Sequence, residues 1–324
     1  MGKNKPLKAT ELKKRKNGRR GSLLEPKRGA AKKDIRDIVP ADEDKLSFYV
    51  SEKTAAYEKQ RPFSIFYDDP AHSVRLLKGD CIEILNQARE DSVDVIFADP
   101  PYFLSNGGIT CHAGKMVSVN KGKWDKSKGV KENHEFTLEW LRACKRVLKP
   151  NGTIWVSGTT HIIYSVGFAM QELEFKILND IVWYKRNAPP NLSCRYFTHS
   201  TEIVLWAAKD KKSKHYFDYQ LMKKMNKGKQ MRNVWEISSP PAEEKKFGKH
   251  PTQKPVELLR RIILASSKEG DLILDPFCGS STTGVASALL NRKYVGIDLE
   301  DEYLELSRKR LKEAITKPSL LVRE

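Results

Sequence analysis

A buried strand that ends in two consecutive prolines is the feature that most constrains how this chain folds. The stretch "VDVIFADPPY" (93–102) starts as a run in which both alternating sets of side chains are apolar. Such a run is typical of a strand with both faces covered, as in a parallel sheet. Pro100 and Pro101 remove two backbone donors and fix two φ angles, so the strand has to stop at Asp99. The sequence therefore predicts a stiff polar corner at the end of a buried strand.

The periodicity of the rest of the chain alternates between that of helices and that of strands. Helices are predicted over 134–148, 161–171, 255–267, 282–291 and 300–315, and strands over 153–158, 175–184, 201–208, 271–275 and 293–298. Residues 103–133 are polar and glycine-rich and are predicted as a long loop. Alternation of this kind predicts an α/β fold, in which a doubly wound, mostly parallel sheet is covered by helices on both faces.

Charge is concentrated at the N-terminus. The chain has 324 residues and a net charge of +18, and residues 1–33 hold 13 Lys and Arg against two Glu, a net charge of +11. Residues 1–70 are predicted as a basic, mobile extension, which is either a solubilising tail or an arm that binds nucleic acid. With no apolar run of 18 residues and no apolar signal core, we expect a cytoplasmic protein without a membrane partner. The five cysteines include no C-x-x-C pair, so no metal site is predicted.

A second informative stretch, "DLILDPFCGSSTTGVASALLNRKYVGIDLE" (271–300), has the pattern of a βαβ unit. A strand ends at Asp275, a turn containing Gly279 opens a helix, and a second strand ends at Asp298, 19 residues after that glycine. A glycine in the first turn lets the backbone approach a ligand, and an acid at the tip of the second strand accepts hydrogen bonds from ribose hydroxyls. The unit is therefore a candidate site for a nucleoside-containing cofactor.

Three interpretations of this unit differ in what they require. A phosphate loop needs Lys after its last glycine, but Val285 follows Gly284. A dinucleotide fold favours G-x-G-x-x-G, and the middle glycine is missing here. S-adenosylmethionine carries no phosphate, and its positive amine and sulfonium suit the nearby Asp275. The pattern favours S-adenosylmethionine over NAD, and an ordinary βαβ unit without a ligand stays open.

Residues 209–249 are rich in lysine, contain interleaved aromatic residues and lack clear periodicity. We interpret this segment as an inserted subdomain that reads bases, in preference to a solvated charged face. Its candidate DNA-binding residues are Lys211, Lys212, Lys214, Lys223, Lys224 and Arg232.

Three motifs together resemble those of the amino-methylating DNA methyltransferases. They are "DPPY" (99–102), "HPTQKP" (250–255) and "DPFCGSSTTG" (275–284), and the resemblance runs from about residue 73 to 315. Their order resembles the circularly permuted β class, in which a target-recognition region lies between the catalytic and the cofactor motifs. The stretches "PPNLSCRYFTHSTEIVLWA" and "GKHPTQKP" are most similar to DpnA-type adenine methyltransferases of GATC restriction systems, which makes GATC a candidate recognition sequence.

The resemblance implies a division of the chain and a set of site residues. The division is an extension (1–70), a catalytic half (71–208), a target-recognition insertion (209–249) and a cofactor-binding half (250–324). The implied catalytic residues are Asp99, Pro100, Pro101 and Tyr102, and the implied S-adenosylmethionine-binding residues are Asp80, Thr252, Lys254, Asp275, Phe277, Gly279, Ser280 and Asp298. Within the latter, family analogy assigns Asp80 to the cofactor adenine, Asp298 to its ribose, and Thr252 and Lys254 to its methionine carboxylate.

The implied reaction is transfer of a methyl group from S-adenosylmethionine to N6 of an adenine flipped out of DNA. The Asp99 carboxylate and the Pro100 carbonyl would accept hydrogen bonds from the amine, and Tyr102 would stack on the base. Alternatives are an N4-cytosine or RNA methyltransferase, and a catalytically silent nucleic-acid-binding relative. The resemblance also implies DNA as partner, nucleoid association, a restriction-modification or orphan epigenetic role, a cognate restriction endonuclease that shares the site without binding the chain, and a homodimer.

One residue departs from the family pattern. The second glycine of the family's G-S-G is Ser281 in this chain. If the turn requires a positive φ at this position, serine carries a steric cost that glycine avoids.

Overall fold

A computed structural model describes residues 63–105, 109–112, 115–118, 125–191 and 193–317, and of 109–112 and 115–118 it describes the backbone. The basic extension predicted for residues 1–70 lies outside the described residues up to residue 62. No helix in the described part of the chain is both long and apolar enough to cross a bilayer.

The elements follow one another in the alternation that the sequence predicts. They are β1 (Phe63–Asp69), β2 (Val74–Gly79), α1 (Cys81–Gln87), β3 (Val93–Ala98), β4 (Ile109–His112), β5 (Lys115–Ser118), α2 (Val130–Val147), β6 (Leu148–Gly158), α3 (Ile163–Glu172), β7 (Lys176–Tyr184), β8 (Thr201–Ala208), α4 (Tyr219–Met225), β9 (Val234–Glu236), a 3-10 turn (Ala242–Lys245), α5 (Val256–Ser266), β10 (Leu272–Asp275), α6 (Thr282–Leu289), β11 (Lys293–Asp298) and α7 (Asp301–Thr316).

Nine strands form one sheet in the order β1-β2-β11-β10-β3-β6-β8-β7-β9. Strands β2, β11, β10, β3 and β6 are parallel to one another and form the centre, whereas β1 and β8 run antiparallel to their neighbours. Because parallel strands end at the same edge, the carboxyl ends of the five central strands lie side by side. The predicted mostly parallel α/β sheet is confirmed.

Both faces of the sheet are covered, as the apolar run in β3 predicts. Ile96 and Ala98 pack with α1, α2 and α3 on one face, and Val95 and Phe97 pack with α5 and α7 on the other. Each of these four β3 side chains is at most 2% exposed. The alternation in the sequence therefore marks two cores, with the strand between them.

The structure adds regular elements to three segments for which the sequence predicted none. The predicted loop over 103–133 contains a small hairpin, β4 paired with β5, and the first turn of α2. Residues Phe63–Asp69, assigned to the extension, form edge strand β1, because they pair with β2 from the other side of a turn. The segment 209–249, predicted as an inserted subdomain, contributes β9 to the main sheet, where Trp235 is buried.

The last glycine of "DPFCGSSTTG" is required by a close packing contact. A Cβ atom added at Gly284 would lie 2.4 Å from Cε1 of Tyr294, whose fully buried ring packs against the helix. The motif glycine thus gives α6 its close approach to β11.

Replacing Gly284 distinguishes the effect of close packing on stability from the effect of helix propensity. We expect Gly284→Ala to lower the free energy of unfolding by about 1 to 3 kcal/mol, because the buried ring of Tyr294 has no room to retreat. Gly167→Ala in α3 is the matched control, since its added Cβ would meet Leu205 at an ordinary 3.5 Å. The control should raise stability by about 0.5 to 1 kcal/mol. Urea denaturation measures both, and equal effects of the two variants would refute the packing argument.

Candidate active site

The acids that end the central strands gather around one cavity. Asp99 follows β3, Asp275 ends β10, Asp298 ends β11 and Asp80 follows β2. The cavity at this edge is lined by all twelve residues predicted to be catalytic or cofactor-binding: Asp80, Asp99, Pro100, Pro101, Tyr102, Thr252, Lys254, Asp275, Phe277, Gly279, Ser280 and Asp298. In the sequence these residues fall into two groups, 80–102 and 252–298, and the parallel sheet brings the two groups together.

Asp99 is held by two donors at the corner that the sequence predicts to be catalytic. The Tyr102 hydroxyl donates a hydrogen bond to Asp99 Oδ1 at 2.7 Å, and Lys254 Nζ donates to Asp99 Oδ2. Lys254 and Tyr102 are each 5% exposed. The chain therefore fixes the orientation of the carboxylate before any ligand arrives.

Burial and charge act in opposite directions on this pair. Burial raises the pKa of the Asp99 carboxyl above its ordinary value, while the Lys254 ammonium acts to lower it. Burial by itself would lower the pKa of Lys254, but Asp99 and Glu202 outweigh burial and raise it. Burial also raises the pKa of Tyr102, so its hydroxyl stays a donor at neutral pH.

Asp125 holds the turn that follows the two prolines. Its Oδ1 accepts from the backbone N–H groups of Tyr102 and Phe103 at 2.9 and 2.8 Å. Its Oδ2 accepts from the N–H of Leu104 and from the hydroxyl of Ser105. Asp125 is fully buried and Phe103 has a φ of 56°, a left-handed conformation that these hydrogen bonds stabilise. Sequence analysis missed this residue, since nothing in the sequence links it to a turn 20 positions earlier.

The predicted cofactor turn is built around two buried acids. Asp275 accepts from the Phe277 N–H and from the Thr283 hydroxyl, and burial raises the pKa of its carboxyl to about 7. Asp298 accepts from the Gly279 N–H at 2.8 Å, and burial raises its pKa to about 6. Gly279 has a φ of +50°, and a Cβ there would lie 3.0 Å from the His250 ring, so this glycine is required by conformation and by space.

Ser280 and Ser281 turn toward the protein. The buried Arg310 guanidinium donates to both the carbonyl and the hydroxyl of Ser280. Ser281 has a φ of 50° and a ψ of 43°, so the condition for a steric cost at this position is met. The fully buried Ser281 hydroxyl accepts from the Tyr294 hydroxyl at 3.1 Å. This hydrogen bond opposes a left-handed strain of about 1 to 2 kcal/mol for a residue with a Cβ.

Thr252 lies beside His250, which sequence analysis also missed. The Thr252 N–H donates to His250 Nδ1 at 3.3 Å, and the His250 ring makes an edge-to-face contact with Tyr303 at 4.3 Å. Asp80 caps α1 by accepting from the N–H groups of Ile82 and Glu83. These contacts fix the walls on either side of the cavity.

The six predicted DNA-binding residues do not join the cavity. Lys211, Lys212 and Lys214 follow β8 at the opposite edge, where the Lys214 N–H donates to the Asn151 side chain near the start of β6. Ser157, near the other end of β6, contacts the Tyr102 hydroxyl, and six strand residues span roughly 20 Å. Lys223 and Lys224 lie on α4, which packs against α5, and Arg232 lies two residues before β9.

The cavity fits a cationic nucleoside. The buried carboxyls of Asp275 and Asp298 line the cavity, where they would compensate the positive charge of a sulfonium or an ammonium. Gly279, with its positive φ, lies in the turn beside them. Phe277 adds an aromatic wall, with Trp140 packed edge-on behind it at 5.5 Å. Among the described residues, no three His, Cys, Asp or Glu side chains are grouped as metal ligands. The chemistry of these groups matches S-adenosylmethionine.

The fold and this site are those of an S-adenosylmethionine-dependent methyltransferase. The family model described as "DNA methylase" matches residues 93–309, and the chain belongs to that family. It is 60% identical over 237 residues to the Type II methyltransferase M2.DpnII of Streptococcus pneumoniae, covering 73% of this chain and 88% of that protein. It is 58% identical over 242 residues to the Type II methyltransferase M2.LlaDCHI of Lactococcus lactis subsp. cremoris, covering 74% and 90%.

A solved structure agrees with both the fold and the cofactor. The crystal structure of the M1.HpyAVI–S-adenosylmethionine complex is 30% identical, with a TM-score of 0.56, and the match covers 74% of this chain and 98% of that one. This chain is thus a DNA methyltransferase, and its methyl donor is S-adenosylmethionine. The predicted family, fold, enzyme class and cofactor are confirmed.

The raised pKa of Asp275 predicts pH-dependent binding of the methyl donor. Its carboxyl is neutral below about pH 7 and negative above it, so affinity for the positive ligand should rise between pH 5.5 and 7.5. The slope should approach, at most, about tenfold per pH unit. Asp275→Asn should bind more weakly at pH 7.5 and show a flatter pH profile. Isothermal titration at four pH values measures this, with Asp301→Asn, a change at an exposed residue of α7, as the control.

Asp275→Asn should weaken binding of the methyl donor but stabilise the ligand-free protein. An acid with a raised pKa in the folded state binds protons more tightly there than when unfolded, so it lowers stability as pH rises from about 4 to 7. Ligand-free Asp275→Asn should therefore unfold at a higher temperature than wild type at pH 8. A variant that loses both affinity and stability at pH 8 would contradict this assignment.

Proposed function

We propose that this chain methylates N6 of a flipped-out adenine within a specific DNA sequence. The observation that carries the proposal is the Asp99 carboxylate, fixed by Tyr102 and Lys254 on the wall of the cofactor cavity. Aspartate at this position, rather than serine, favours adenine over cytosine in the enzymes that the motif resembles. The base would be flipped out because its amine is not accessible inside a duplex.

The corner has acceptors for both hydrogens of an exocyclic amine. An ionised carboxylate has about four lone-pair sites, and Tyr102 and Lys254 use one on each oxygen of Asp99. Asp99 thus retains acceptor capacity for one amine hydrogen, and we assign the other to the carbonyl of Pro100. Hydrogen bonds to both would pull the nitrogen lone pair out of conjugation with the ring. The two prolines and Asp125 hold the acceptors in place, so little reorganisation accompanies the reaction.

S-adenosylmethionine supplies a methyl group activated by a positive sulfonium. We assign Asp298 to the ribose hydroxyls, Asp275 to the positive end of the ligand and Phe277 to the wall of its pocket. Asp80 is assigned to the cofactor adenine and Thr252 to the methionine carboxylate. For Lys254 we propose a role different from that in the sequence analysis, because its ammonium contacts Asp99, so that it orients the catalytic acid.

Substitution of Asp99 tests the amine-binding role. Asp99→Ala should reduce the single-turnover rate at least about 100-fold and leave S-adenosylmethionine affinity nearly unchanged, because Lys254 keeps Glu202 as a partner at 3.7 Å. Asp301→Ala, the same change at an exposed ion pair with Lys78, is the control and should keep full activity. Nucleoside mass spectrometry of unmethylated duplex and single-stranded DNA identifies the product.

Each product has a different meaning. N6-methyladenine made by wild type supports the proposal, and N4-methylcytosine would overturn the base assignment. Methylation of RNA in place of DNA would overturn the substrate, and full activity of Asp99→Ala would remove the carboxylate from the mechanism.

We propose that DNA covers the edge of the sheet where the cavity opens. The segment 185–200 joins the end of β7 to the start of β8 at this edge. In it, Tyr196 and Phe197 are 61% and 97% exposed and follow the exposed Arg195. Exposed aromatic rings in a basic segment are suited to stack on unpaired bases. The lysines at the opposite edge are the alternative contact that the sequence suggested.

Two matched pairs of substitutions compare these surfaces. Arg195→Gln with Lys249→Gln removes two exposed charges from segments at the edge where the cavity opens. Lys211→Gln with Lys212→Gln removes two exposed charges at the opposite edge. The first pair should flatten the slope of log K against log salt for duplex DNA by about 2, and the second should leave it unchanged. Fluorescence anisotropy at several salt concentrations measures the slope, and the reverse result would place DNA on the lysine-rich edge.

The wider role is proposed from the kind of proteins that the chain resembles. Its relatives are named Type II methyltransferases, which supports a restriction-modification role with a cognate endonuclease that reads the same sequence. GATC as that sequence, a homodimer and nucleoid association belong to the same proposal. So does the division of the chain into a catalytic half, a target-recognition region and a cofactor-binding half.

A further inference from the structure

Glu202 is a largely buried acid that lies within the stretch "PPNLSCRYFTHSTEIVLWA" but is not one of the predicted site residues. It is the second residue of β8 and directly precedes the apolar run "IVLWAA". Its side chain is 12% exposed. Its Oε1 accepts a hydrogen bond from Lys185 Nζ. Its Oε2 faces the catalytic corner, 3.2 Å from the Tyr102 hydroxyl and 3.7 Å from Lys254 Nζ. A charge at this depth needs partners, and each of them also belongs to the corner or borders it.

Glu202 and Asp99 share two donors. The single proton of the Tyr102 hydroxyl has a carboxylate on each side, Asp99 at 2.7 Å and Glu202 at 3.2 Å. The Lys254 ammonium likewise lies between the same two acids. A change at Glu202 therefore reaches Asp99 by two routes, one through a hydroxyl and one through an ammonium.

The charges around the pair balance. Asp99 and Glu202 face two ammonium groups, Lys254 from the loop before α5 and Lys185 from the segment after β7. Burial alone would raise the pKa of Glu202, but the two lysines outweigh burial and lower it. The ionised Glu202 in turn acts to raise the pKa of Asp99. The other titratable groups facing the pair are the Tyr102 hydroxyl and, from β10, the Asp275 carboxyl.

A second cavity reaches Glu202 from the side away from the cofactor turn. Its walls include Glu202, Lys185 and Trp183, and it shares Tyr102 and Lys254 with the cofactor cavity. The wall that the two cavities share thus includes both donors that Glu202 contacts. A nucleotide entering beside Tyr102 would meet a corner whose geometry depends on this acid.

We propose that Glu202 is a positioning residue for methyl transfer. With Lys185 as its counterion, it fixes the Tyr102 hydroxyl and the Lys254 ammonium, and through them it keeps the Asp99 carboxylate aimed at the target amine. The proposal rests on the proposed function, since it assumes that Asp99 binds that amine. A purely structural Glu202, which only neutralises buried lysines, is the competing explanation.

A double-mutant cycle between Glu202 and Tyr102 distinguishes the two explanations. Glu202→Gln and Tyr102→Phe should each lower the single-turnover rate roughly 10- to 100-fold, the range expected when reacting groups are misplaced. Because both variants break the same link to Asp99, the double variant should be little slower than the slower single variant. KM for S-adenosylmethionine should change less than about threefold, since neither side chain is assigned to its binding.

The pH profile provides a readout that a structural role would not move. Removing the negative charge of Glu202 should lower the pKa of Asp99, so the acidic limb of the rate profile should shift to lower pH in Glu202→Gln. Glu305→Gln, the same change in an ion pair with Arg308 on the solvent-facing side of α7, is the control and should leave rate and profile unchanged. Product is measured as N6-methyladenine by mass spectrometry.

Multiplicative losses in the double variant, together with an unmoved acidic limb and a lower melting temperature, would overturn the positioning role. Glu202→Gln with full activity would also overturn it. Failure of the proposed function looks different, because wild type itself would then form no N6-methyladenine.

Discussion

The Lys254 ammonium is the contact on which the arrangement of the site depends. It is 5% exposed and contacts Asp99 on one side and Glu202 on the other. An ammonium so deeply buried is stable only where carboxylates compensate for lost water. The lysine comes from the loop before α5, and the acids come from the end of β3 and from β8. One requirement for charge compensation therefore joins segments that are distant in sequence at the edge where the cavity opens.

At the same edge of the sheet lie acids whose charged form is disfavoured by burial. Asp275 and Asp298 carry pKa values raised to about 7 and about 6, because their carboxyls lie in the protein interior. In the ligand-free protein such acids lower stability near neutral pH. The positive sulfonium and ammonium of S-adenosylmethionine would compensate the negative charges of these two carboxylates. The destabilising feature is therefore the one that gives the cavity its preference for a cation.

Much of the secondary structure of this protein can be predicted from its sequence, because local interactions determine it. The apolar run before Asp99 predicts β3 and its two covered faces, and the two prolines predict where it ends. The βαβ pattern around Gly279 predicts β10, α6 and β11, since a turn, a helix and two strands each leave their own periodicity. The resemblance to DNA methyltransferases adds what periodicity does not contain, the chemical roles of the residues that line the cavity.

By itself, the sequence determined the α/β class, the twelve residues around the cavity and the methyl donor, because each depends on short patterns or on motifs of fixed spacing. The tertiary structure alone decided that Asp125 supports the turn after the prolines, that Lys254 contacts Asp99 and that Glu202 shares its donors. It also decided that Lys211 and its neighbours lie at the opposite edge of the sheet. The physical reason is the same throughout: these relations join residues distant in sequence, and strand order and direction bring them together or keep them apart.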